Sequence, residues 1–191
     1  MRVFIAVLVL IFNFQSWTKA DDIGEFEIEG MSIGDSLLDY MTVGKINNEL
    51  SKFVSFSWTD KKFQRVWKFD GSFEIYDYVA MAIKPNDSEY KIYAISGMFD
   101  ISDPKVCLEK QKNISDELSL IFKDSEVYKW NNPLKDDETG ESRGNGVEFI
   151  FKKGGSASVV CYDYAEHINK PSGLDVSISN KEFDEWLISF N

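Results

Sequence analysis

"DISDPKVCLEKQKNISDELSLIFKD", residues 100–124, decides the fold, because it is one amphipathic helix with strand-like sequence on both sides. Asp103 is a good N-cap. Pro104 stands at the first helical position, where its missing N–H costs nothing. Cys107, Gln111, Ile114, Leu118 and Ile121 fall on one stripe, and Glu109, Lys112, Asp116 and Lys123 lie largely off it. Such a helix lies on an apolar surface and turns Cys107 inward.

Toward the N-terminus the period changes. "FVSFSW" from Phe53, "KFQRVWKF", "EIYDYVAMAIK" and "EYKIYAIS" are rich in aromatic and β-branched residues, and several alternate apolar with polar. Asp70-Gly71 and Pro85-Asn86-Asp87 supply turn chemistry. This predicts an antiparallel meander of three or four strands. Before it, residues 21–34 read as an extended lead-in with turns at Gly30 and Gly34. Ser36 with Asp39 fits a capping pattern for a short helix carrying Leu37, Leu38 and Met41. A second helical piece carries Ile46 and Leu50, with Gly44 weakening the junction.

Toward the C-terminus, residues 131–146 read as a polar, charged loop. "VEFIFKK", "GGS" and "ASVVCYDY" then form a hairpin, and "GLDVSIS" is a further strand. The end opens with the capping pattern Ser179-x-x-Glu182. Phe183, Trp186, Leu187 and Phe190 follow at i, i+3, i+4 and i+7, the spacing of one helix face. Helix, strands, helix, strands, helix is an α+β order with an antiparallel sheet, unlike the strict alternation of a parallel one. It permits two helix-plus-meander units, near 35–100 and 103–179.

Residues 1–20 read as a secretory signal peptide. Arg2 gives a basic start, Val3 to Phe14 is apolar but too short to span a bilayer, and Thr18 and Ala20 are the small residues of a cleavage site. Residues 21–191 then form a single domain, with no membrane span after removal of the leader. The net charge of −11 repels phosphate backbones and anionic membranes, so nucleic acid is not an expected partner. Two cysteines, Cys107 and Cys161, in an exported chain predict one disulfide.

Few residues offer chemistry. Gly34-Asp35-Ser36-Leu37 resembles the motif of the GDSL hydrolases, which would make Ser36 a nucleophile with His167 as its base. Those enzymes place the serine just after a buried strand, but Glu27, Glu29 and Ser32 interrupt this one. They also set an aspartate three residues before the histidine, where this chain has Tyr164. A hydroxyl nucleophile needs a base and oxyanion donors, so the cap is the better reading of Ser36. One histidine and two oxidised cysteines are too few for zinc, and no metal or cofactor is expected. Asp136, Asp137, Glu138 and Glu141 match no calcium-loop spacing and read as a solvated charge run. Trp58, Trp67, Tyr76, Tyr78, Tyr90 and Tyr93 could line a binding face on the meander.

"FEIEGMSIGDSLLDYM" (26–41), "SVVCYDY" (158–164) and "KEFDEWL" (181–187) together resemble a group of small secreted proteins from marine bacteria, over most of the chain. That resemblance implies an envelope or extracellular location and no particular chemistry. The expected function is non-enzymatic binding or envelope interaction, with an unknown protein or small molecule as ligand. The alternative is the hydrolase of Ser36 and His167.

Overall fold

The computed structural model describes residues 23–52, 62–69 and 73–190. The expected leader 1–20, the strand expected from Phe53, Trp58 and the turn expected at 70–71 lie outside the described residues. In chain order the elements are β1 (Glu27–Ile28), β2 (Met31–Ser32), α1 (Val43–Lys52), β3 (Gln64–Lys68), β4 (Tyr78–Ile83), β5 (Ile92–Asp100), α2 (Pro104–Ile121), β6 (Glu126–Pro133), β7 (Arg143–Ile150), β8 (Ser156–Asp163), β9 (Gly173–Ser179) and α3 (Lys181–Phe190).

Seven strands make one antiparallel sheet in the order β3-β4-β5-β9-β8-β7-β6, and β1 pairs with β2 as a separate hairpin. The α+β expectation holds. A helix precedes a three-stranded meander, a second helix precedes a four-stranded one, and β5 and β9 join the two edge to edge.

Alternation along the strands gives the sheet two different faces. Val66, Val79, Met81, Ile95, Phe99, Val147, Phe149, Val159, Leu174, Val176 and Ile178 point to one side, where they meet α1, α2 and the N-terminal arm in the main core. Asp103 caps α2, its carboxylate accepting the Lys105 N–H at 2.8 Å. The stripe of α2 then buries Cys107, Gln111 and Leu118. Ser115 is buried beside them, and Ile114 packs only partly against the core. The Gln111 side-chain amide donates to the carbonyls of Asn145 and Val159, at 2.6 and 2.9 Å, and so ties α2 to β7 and β8. Cys107 and Cys161 are joined as a disulfide, with their Cα atoms 6.0 Å apart.

The arm is pinned by one side chain. Glu29 sits in the tight β1–β2 turn at φ 52°. Its carboxylate accepts the backbone N–H groups of Glu74, Ile75 and Tyr76 at 3.0, 2.8 and 3.0 Å. The Tyr76 ring can then lie flat on β5, because a Cβ on Gly97 would stand 2.6 Å from it.

Four expectations change. The segment after Ser36 is a single 3-10 turn, Leu37–Asp39, and the α-helix begins only at Val43. Residues 131–133 and 143–146 are not loop but the ends of β6 and β7, which leaves a nine-residue turn between them. The whole of β6 escaped the sequence reading, because an edge strand exposed on nearly every residue shows no buried face. Asn180 rather than Ser179 caps α3, its side chain accepting the Phe183 N–H at 2.9 Å, while Ser179 is buried and donates to Asp184.

The disulfide closes a span of 54 residues, which in the chain-entropy account stabilises the fold by about 4 kcal/mol. The Cys107→Ser, Cys161→Ser double variant is expected to lose roughly 2–4 kcal/mol in urea unfolding. Thiol titration of the denatured, unreduced wild type should find no free thiol, and finding two would remove the disulfide.

Candidate functional site

Among the described residues, the second face of the sheet carries a small second apolar cluster rather than a full core. The strand registers align its side chains in rows. One row runs Tyr78, Met98, Asp175, Val160, Gly146, Trp130. The next runs Trp67, Ala80, Ser96, Ser177, Ser158, Glu148, Tyr128. A third begins at Arg65 and passes through Ala82, Ala94, Ser179 and Ser156. Only this third row is roofed by α3: Phe183 and Trp186 cluster with Phe63, Ala82 and Ala94, and Ser179 donates to Asp184.

The first two rows combine planar rings with a polar strip. At one end Trp67 stacks with Phe69, centroids 5.7 Å apart, and both contact Tyr78. At the other end Trp130 lies flat across β7. A Cβ on Gly146 would stand 2.3 Å from the indole and one on Gly144 2.8 Å, so those two glycines create the seat for the ring. The indole N–H donates to Glu148 at 2.7 Å and fixes its orientation. Tyr162 and Tyr164 stack with each other nearby. Between these groups the hydroxyls of Ser158 and Ser177 are 2.8 Å apart.

Asp175 stands in the middle. The Ser96 and Ser177 hydroxyls beside it favour its charged form, yet Oδ1 is shut from solvent with no hydrogen-bond partner among the described residues. Burial raises its pKa to about 6, against the pull of Arg65 and the two serines. Burial, and then the charge of Asp175, push the Tyr162 hydroxyl up as well. Tyr164 is raised to about 12 by burial and Asp136. Burial also raises Asp184, opposed by the Ser179 and Ser156 hydroxyls.

The aromatic residues read from the sequence divide. Trp67 and Tyr78 belong to this face. Tyr76 lies on the opposite face against Phe99. Tyr90 occupies a turn at φ 46° and packs toward the main core. Tyr93 packs against Phe63 beside α3. Asp175, Trp130, Tyr162 and Tyr164 were missed. The available signals were the outward Asp-Ser-Ser alternation of "GLDVSIS" and the Gly-x-Gly of β7 facing a tryptophan strand.

Ser36 and His167 have separate partners. The Ser36 hydroxyl donates to the Glu89 carbonyl at 2.6 Å and accepts the Leu38 N–H at 3.3 Å, as a cap and a tie to the β4–β5 turn. His167 lies between Asp137, 3.2 Å from Nε2, and Glu141, 3.7 Å from Nδ1. Asp137 organises the β6–β7 turn: it accepts the Thr139 hydroxyl and the backbone N–H groups of Thr139 and Ser142. These bonds hold its carboxyl well below the usual carboxylate range. Asp136 is paired with Lys170. Among the described residues no three His, Cys, Asp or Glu side chains cluster as a metal site would need.

Two clefts flank the sheet. One, of about 120 Å³, lies beside the disulfide and is bordered by Pro104, Arg143 and Asp163. The other, of about 360 Å³, lies between α1 and β3. Asp175 lines neither. Comparison with protein-family models, with curated protein sequences and with solved structures found no match.

Two stability measurements follow from this geometry. The fold penalises the charged form of Asp175, so its cost is absent below about pH 4, grows as pH rises toward 6 and is complete above that. The Asp175→Asn variant should therefore match the wild type at pH 4 and exceed it by on the order of 2–3 kcal/mol at pH 7.5. Urea midpoints at the two pH values check this, and an equal difference at both would contradict it. Ser36→Ala should cost about 1 kcal/mol at either pH through loss of the cap.

Proposed function

We propose that this chain is an exported, non-enzymatic binding protein whose recognition surface is the sheet face around Asp175. The observation that carries the reading is the Asp175 carboxylate, set on a sheet face that also carries Tyr78, Tyr162 and Trp130, with one oxygen unbonded. A carboxylate left in that state weakens the fold, and stable proteins keep such groups where function requires them. Interfaces are enriched in tryptophan and tyrosine, which bury a large apolar area and keep a polar handle.

Support for export comes from the sequence of residues 1–20 and the paired cysteines. Among the described residues, no helix is long and apolar enough to cross a membrane. The hydrolase reading gains no observation, since the Ser36 hydroxyl is engaged in a cap and His167 is held by Asp137 and Glu141.

Three measurements test the proposal. Expressed in full in a bacterium with an oxidising periplasm, the chain should be recovered outside the cytoplasm with Asp21 as its first residue. Ligands retained from glycan and peptide arrays should bind Trp130→Ala at least tenfold more weakly than wild type, and undiminished binding would move recognition off this face. Turnover of a short-chain ester that disappears in a folded Ser36→Ala variant would establish the enzyme instead.

A further inference from the structure

The sheet sorts its charges by face. On the face of Asp175 the strand positions carry Asp100, Glu126, Glu148 and Asp175 against one base, Arg65. The bases Lys68, Lys129 and Arg143 fall on the opposite face, with Asp163. Arg65 does not complete Asp175. Its guanidinium stands over the Trp67 ring at 5.5 Å, and it belongs to the row that α3 covers. Its charge lowers the pKa of Asp175, but no bond reaches Oδ1.

We propose that this face docks a basic segment of a partner protein and seats one lysine or arginine side chain against Asp175. The inference rests on the binding reading above and names its partner chemistry. Three observations support a cationic protein segment over a small molecule. The unbonded Oδ1 accepts a donor, and a cationic donor also supplies the missing counter-charge. Tyr162 stands diagonal to Asp175 across β8 and β9, and Tyr78 stands in the same row beyond Met98; aromatic faces attract ammonium and guanidinium groups. The surface runs across six strands from Tyr78 to Trp130, about 24 Å at the usual strand spacing, with neither cleft at its centre. That breadth suits an extended chain, and the chain's net charge of −11 steers a basic one toward it. Asp175 is only partly buried as a residue, so the docking side chain reaches Oδ1 when a neighbouring rotamer swings aside, a common change at interfaces.

The test uses the mature chain and an array of 12-residue peptides of graded lysine and arginine content. Peptides retained by the wild type should carry a basic residue whose replacement by glutamine weakens binding at least tenfold. The same replacement should change binding to Asp175→Asn less than threefold, so that peptide and protein changes are coupled. Binding to the wild type should weaken between pH 7.5 and pH 5, and binding to Asp175→Asn should not. Arg65, Asp100, Glu148 and Asp184 are common to both proteins, so the comparison isolates Asp175.

Retained peptides that lose binding with Trp130→Ala but show no coupling to Asp175 would overturn the cationic docking and leave the binding face standing. Retained peptides indifferent to both changes would overturn both readings. Spermidine or N-acetyl-lysine methyl ester binding as tightly as any peptide would replace the protein partner with a free amine. An array with no basic peptide retained would overturn the proposal outright.

Discussion

The hydrogen-bonded ladder between β5 and β9 joins two meanders that local sequence would otherwise leave apart. Seven residue pairs run from Ala94–Ser179 to Asp100–Gly173. The last pair needs a glycine, because a Cβ on Gly173 would stand 2.2 Å from the Phe99 carbonyl oxygen. Without this ladder each meander has an open edge and half a core. With it, Ile95 and Phe99 share one apolar layer with Leu174, Val176 and Ile178. Such long-range pairing is entropically costly to initiate, so its partners on the helix face must be strongly apolar, and they are.

The same ladder also makes the proposed recognition face. Strand alternation sends Leu174, Val176 and Ile178 to the helices, and therefore sends Asp175 and Ser177 to the other side. Met98 and Val160 flank Asp175 across the two neighbouring strands. An ionisable group at the centre of a seven-stranded sheet is poorly solvated, and the two serine hydroxyls only partly replace the lost water. The acid therefore titrates near 6 rather than 4.

Some of this was legible in the sequence. The cap and stripe of α2, the hairpin around Gly154-Gly155 and the closing helix are local patterns, and local patterns survive folding. The cysteine pair was legible from the expected export, not from geometry. β6 was not legible, because both its faces meet solvent and Tyr128, Lys129 and Asn131 give no apolar period. The turn at 134–142 looked like loose charge because Asp137 does its work through three bonds to two neighbours within five residues, and composition does not show a bonding pattern. The candidate face was half legible. Trp67 and Tyr78 stand on it, but Tyr76 belongs to the other side because Glu29 captures the backbone at 74–76 and turns the ring onto Gly97. No rule of alternation within one strand reveals a long-range tie of that kind.

The disulfide explains how the sheet tolerates a destabilising acid on its exposed face. Cys161 pairs with Leu174 across β8 and β9, and each has a face residue as its chain neighbour: Tyr162 follows Cys161, and Asp175 follows Leu174. The covalent tie to α2 thus lies directly behind the residues of the candidate site. Gln111 reinforces it one helical turn further on, by bonding the carbonyls of Asn145 and Val159. A stabilisation of about 4 kcal/mol exceeds the 2–3 kcal/mol assigned to the charge of Asp175. Its placement matters as much as its size. It stiffens the two strands that carry Asp175 and Tyr162, which suits the proposed docking because a preorganised surface loses less freedom on binding.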